Sequence, residues 1–122
     1  MKKIYYYSKN KNEIDKFEHI LNFHHFHVSI FESLKELFDS TKQSRPSLII
    51  IEDDYQFDEG VCLHELILKS KIFECTEKGL IVFTYYEYEE KTLEKLSENN
   101  VIYIKKPVMT DEIVQRFEEL FT

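Results

Sequence analysis

Pro46-Ser47-Leu48-Ile49-Ile50-Ile51-Glu52-Asp53-Asp54 joins four consecutive apolar residues to three consecutive acids. A strand that is apolar at every position, not at alternate ones, is covered on both faces, as central strands of parallel sheets are. In open α/β sheets, ligands bind beyond the carboxyl ends of the strands. Glu52, Asp53 and Asp54 fall at that end. A carboxylate cluster there points to phosphate or metal chemistry.

Outward from this strand, the chain alternates strand and helix patterns. Ile4–Tyr7 is a short β-prone run, and Glu13 to Asn22 sets Ile14, Phe17, Ile20 and Leu21 at helical spacing. Phe26–Phe31 reads as an outer strand. Ser33 opens a helix by a capping-box pattern with Glu36, burying Leu34, Leu37 and Phe38. Beyond the central strand, Gly60 breaks a loop and Val61 to Ile72 reads as helix. Leu80–Phe83 is a second apolar strand, and Glu87 to Asn99 a charged helix with a thin apolar face, Leu93 and Leu96. Val101–Ile104 is the last strand, stopped by Pro107. Thr110 caps a final helix that buries Ile113, Val114, Phe117, Leu120 and Phe121. Five strands alternating with five helices predict an α/β, doubly wound (βα)5 flavodoxin-like fold. Its parallel five-stranded sheet has the order 2-1-3-4-5 and a crevice between strands 1 and 3. Ser8 and Lys9, Glu52 to Asp54, Thr84, and Lys105 or Lys106 then line that crevice.

At 122 residues the chain reads as one domain, 1–122, able to bury about two-thirds of its unfolded surface. A net charge of −7 argues against nonspecific nucleic-acid binding, which needs a basic face. No segment approaches the roughly 20 apolar residues of a membrane span. The apolar run after Met1-Lys2-Lys3 is too short for a signal peptide. Cys62 and Cys75 lack metal-like spacing, so reduced thiols and a cytoplasmic location are expected.

The crevice residues carry a resemblance over essentially the whole chain to the receiver domains of two-component response regulators, the CheY-like family. Glu52 to Gly60 has the register of the family's phosphoacceptor loop, with a Gly eight residues after the acceptor. Thr84 ends its strand as the switch Thr/Ser does. Lys106-Pro107 resembles the Lys-Pro pair that the family joins by a cis bond, and Tyr103 the switch aromatic three residues earlier. The resemblance implies signalling by protein–protein interaction across the face of helix 4, strand 5 and helix 5. The partner would be a histidine kinase, a downstream effector or a second copy. With no effector domain after Thr122, output is expected through such a partner.

Three departures from the family's pattern imply a pseudo-receiver. Glu52 stands at the phosphoacceptor Asp. Ser8 and Lys9, followed by Asn10, stand at the acidic pair that holds a divalent cation. Tyr85 stands where a small residue leaves room for a phosphoryl group, which it would instead plug. Phosphoryl transfer to a carboxylate joins two anions, and a metal ion normally neutralises them. Mg²⁺ is held by one or two carboxylates, which Ser8 and Lys9 do not supply. Glu52 also carries its carboxylate one methylene further out, about 1.5 Å, so in-line geometry suffers. The same extension makes Glu52 a candidate phosphomimic, paired with Lys106 or Lys9 and hydrogen-bonded by Thr84. At an open strand end such a pair is worth only about 0–1 kcal/mol.

No enzyme activity and no cofactor are expected. One alternative is a phosphorylation-competent receiver using Glu52 or Asp53, the one reading that requires Mg²⁺; Glu52 and Asp54 would be its metal ligands. Side-chain alternation, however, should turn Asp53 away from Glu52. Another is a small-ligand sensor using the same crevice. His24, His25 and His27 form the other conspicuous cluster. His25 and His27 would share a face if the strand starts there. With no Cys nearby they read as polar edge residues that blunt strand pairing, not as a metal site. Tyr85, Tyr86 and Tyr88 read as an aromatic group beside the partner face.

Overall fold

A computed structural model describes residues 2–53 and 63–121. Asp54, Gly60 and Cys62 therefore lie outside the described residues. The elements are β1 (Lys3–Tyr7), α1 (Lys11–Phe23), β2 (His27–Phe31), α2 (Leu34–Gln43), β3 (Leu48–Asp53), α3 (Leu63–Ser70), a 3-10 turn (Ile72–Cys75), β4 (Leu80–Thr84), α4 (Glu90–Glu98), β5 (Val101–Lys105) and α5 (Thr110–Phe121). The sheet is parallel, in the order β2-β1-β3-β4-β5. The expected fold class is the one observed.

The pleat splits β3 between two cores. Leu48 and Ile50 join Ile14, Phe17, Ile113 and Phe117 on the face covered by α1 and α5. Ile49 and Ile51 join Leu37, Leu63, Ile67 and Leu96 on the face covered by α2, α3 and α4. Every residue of β3 is buried, which is why it reads as a continuous apolar run. The last two, Glu52 and Asp53, still pair in register with Phe83 and Thr84, so the strand runs two residues past the apolar stretch.

Several boundaries differ from the sequence reading, each for a local reason. α1 starts at Lys11, not Glu13, because the Asn10 carboxamide accepts from Asn12 N and Glu13 N. Helix 3 stops at Ser70, not Ile72: Lys71 adopts a left-handed conformation (φ 55°), and the chain tightens into the 3-10 turn. Thr76 then accepts from Gly79 N and donates to Phe73 O, closing the connection into β4. Gly79 is required there. Its φ is +113°, and a Cβ would lie 2.5 Å from Asn100 O. β2 begins at His27, with His25 left-handed (φ 65°) in the turn before it. His25 and His27 therefore do not share a strand face. Among the described residues no helix is long and apolar enough to cross a membrane.

Candidate functional site: the crevice at the carboxyl end of the sheet

Glu52 and Lys106 meet here. Lys106 Nζ donates to Glu52 Oε2 at 2.6 Å, with the two side chains 5% and 0% exposed. β3 and β5 flank β4 and carry these residues to the same end of the sheet. Lys106 N donates to Thr84 O at 2.7 Å, which fixes its backbone against β4, and the next peptide, Lys106–Pro107, is cis. The contact is an interior one, not the open strand-end pair that the sequence suggests. That changes its energetics. Both ions have lost water, so removing one partner leaves a charge in a poorly solvated place, at a cost of about 3–5 kcal/mol. Tyr85 sets its ring over Lys106 Nζ, 5.2 Å from the centroid, while remaining partly exposed.

Asp53 goes elsewhere, as the pleat requires. Its Oδ2 accepts from Tyr88 Oη at 2.5 Å. Tyr88 packs on the core between β3 and α2 to α4. Burial, and then the adjoining Asp53 carboxylate, hold the Tyr88 phenol well above the usual tyrosine range. The Tyr88 ring lies 4.8 Å from His64 and 5.0 Å from Tyr103. The half-buried Tyr103 donates its hydroxyl to Tyr86 O at 2.6 Å. Fully buried Thr84 accepts from Tyr86 N at 3.0 Å. Lys105 forms an ion pair with Glu87, whose carboxyl it holds below the usual range. Residues 85 to 88 are thus each anchored to β3, β4, β5 or Lys106. This is why α4 begins at Glu90 and not at Glu87.

The remaining expected site residues separate. Ser8 is fully buried, and its hydroxyl accepts from Asn10 N at 3.0 Å, so it is spent on the turn into α1. Lys9 is exposed and forms no ion pair among the described residues. Of the two lysines suggested for Glu52, it is Lys106 that makes the contact. Pro107 is exposed beyond the cis bond.

Among the described residues, this donor set does not suit a hard cation. Mg²⁺ wants several oxygen ligands, including one or two carboxylates. Here Glu52 is neutralised by Lys106, Asp53 accepts from Tyr88, and the Ser8 hydroxyl is engaged locally. Among the described residues no three His, Cys, Asp or Glu side chains are grouped as a metal site would need.

Sequence reasoning missed the Asp53–Tyr88–Tyr103 chain and treated Tyr88 as surface. Nothing local marks a tyrosine four residues past β4 as the partner of a β3 carboxylate. The Asn10 cap was legible, since Asn10 with Glu13 three residues on is a helix-start pattern.

No protein-family model matches the chain, and no curated protein does. Solved structures do. A two-component response regulator from Clostridium difficile superposes with a TM-score of 0.79 at 16% identity, covering 99% of this chain and 96% of that one. An orphan response regulator of H. pylori gives 0.77 at 18% identity, covering 99% and 97%. The receiver domain of a Francisella response regulator gives 0.75 at 17% identity, again covering 99% and 97%. At such identities the likeness is one of fold: the chain is built as response-regulator receiver domains are, over nearly its full length.

Proposed function

We propose that the chain is a receiver-like module of two-component-type signalling that works without aspartyl phosphorylation and acts by protein–protein contact through α4, β5 and α5. The observation that carries this reading is the buried Glu52–Lys106 pair. It sets a carboxylate against the lysine that, by the resemblance, would otherwise contact a phosphoryl group. Tyr85 over Lys106 and the anchored 85–88 segment support a fixed output face. In this reading the protein is not an enzyme and needs no cofactor. Its partner is a histidine kinase, a downstream effector or a second copy.

The test is intact mass after incubation with phosphoramidate or acetyl phosphate and Mg²⁺. No adduct is expected. An adduct that moves with substitution of Glu52 or Asp53 would overturn the reading and restore a phosphorylated switch. Once a partner is in hand, Glu52→Gln should change its affinity, and an unchanged affinity would defeat the mimicry.

A further inference from the structure

The two ends of the sheet carry opposite charge. Around the amino ends of β3 and β4, the connections 42–47 and 69–79 hold five exposed cations, Lys42, Arg45, Lys69, Lys71 and Lys78, against Glu74 and Glu77. This excess of positive charge sits on a chain whose net charge is −7. Lys42 and Lys69 fall in the last turns of α2 and α3, where a cation is ordinary, but Arg45 and Lys78 lie beyond the helices. The two connections are stitched together. Arg45 Nη2 donates to Thr76 O at 2.7 Å, and Glu77 N and Lys78 N donate to Pro46 O and Ser47 O at 3.1 and 2.8 Å. The cations thus stand on one rim, and none of them is in an ion pair among the described residues.

The opposite end of the sheet supplies the complement. The connections after β4 and β5 lie side by side, because Thr84 pairs in register with Lys105. Lys105 is paired with Glu87, and Lys106 with Glu52. Residues 85–91 and 105–112 then leave Glu89, Glu90, Asp111 and Glu112, all exposed, against Lys91. Three of the four large apolar or aromatic side chains left exposed among the described residues, Tyr85, Tyr86 and Met109, stand there too. Tyrosine and methionine are enriched at protein interfaces, and a tyrosine face attracts the cations of lysine and arginine. Contact of either end with its own equivalent sets like charges together, whereas contact between the unlike ends pairs opposite ones.

We infer that a second copy of the chain docks head to tail: the Tyr85, Tyr86 and Met109 rim of one copy, with Glu89 and Asp111, seats against Lys42, Arg45 and Lys78 of the next. The contact is heterologous, so its repetition builds a ring or an open row. The chain's net charge of −7 opposes association only at long range, and salt screens it beyond about 8 Å under physiological conditions, whereas the rims meet directly. The inference stands apart from the Glu52 reading, because a chain that accepts a phosphoryl group and one that does not carry the same two rims.

The test is sedimentation velocity of the full chain over a rising concentration series. Expected is a weight-average mass that climbs beyond the dimer at about 0.15 M salt and falls back toward the monomer at about 0.5 M. Lys42→Glu with Lys78→Glu reverses one rim, and Glu89→Lys with Asp111→Lys the other. All four positions are exposed, and far-UV circular dichroism checks that each double variant is folded. Each alone should associate at least about tenfold more weakly than the parent chain. Mixed in equal amounts, the two should regain association, although both are still net negative. A chain that stays monomeric, a mass that stops at the dimer, association indifferent to salt, variants that still associate alone, or a mixture that stays monomeric would each overturn the inference.

Discussion

At the scale of single residues, the buried pair and the half-buried Tyr88 phenol decide most. Glu52→Gln keeps the shape but leaves Lys106 facing a neutral acceptor, and should cost about 2 kcal/mol. Lys106→Met alone should cost about 3–5 kcal/mol, because Glu52 then stays charged and buried. The double variant Glu52→Gln, Lys106→Met should be more stable than the sum of the singles by 1 kcal/mol or more, on the order of couplings seen between contacting residues. Urea denaturation of the four proteins checks this, and simple additivity would mean the pair carries no coupling.

Tyr88 makes a pH prediction. Its folded-state phenol titrates above the unfolded value of 10.0. The folded protein therefore holds that proton more tightly than the unfolded chain does. The resulting stabilisation is fully present below pH 10 and is lost as pH rises beyond it. Tyr88→Phe should cost about 1.5–3 kcal/mol at neutral pH, the worth of a hydrogen bond to a charged group. It should also flatten the decline in stability above pH 10. Stability measured against pH for the two proteins checks both; parallel curves would show that Tyr88 ionises normally in the folded state.

At the scale of elements, starts and stops were legible where one side chain does the capping. Ser33 accepts from Glu36 N at 3.4 Å, as its pattern predicts. They were hidden where a distant strand supplies the constraint, as at residues 85 to 88. Gly79 shows the same dependence on distance. Nothing near it in sequence demands glycine, yet β4 enters the sheet against Asn100 O. Gly79→Ala forces a Cβ into that carbonyl at positive φ, and should destabilise by about 2–3 kcal/mol. Asn10→Ala, which removes only a cap, should cost about 1 kcal/mol. Thermal unfolding of the two variants orders them, and an Asn10 effect as large as that of Gly79 would refute the assignment.

At the scale of the whole molecule, a ligand that binds the folded state raises its stability by mass action. Under the proposed reading, with no hard-cation donor set among the described residues, Mg²⁺ has no such purchase, so Tm should be the same in millimolar Mg²⁺ as in EDTA. An increase on adding Mg²⁺ would favour the phosphorylation-competent alternative.

The sequence by itself determined the fold class and the strand order. Apolar runs covered on both faces, separated by amphipathic helices, admit few other topologies. Tertiary structure alone decided which lysine meets Glu52, that the pair is buried, and that Asp53 answers to Tyr88. Those contacts span 54 and 35 residues of sequence. Periodicity places side chains on faces; which polar groups then share a hydrogen bond depends on how separate strands and loops close on one another.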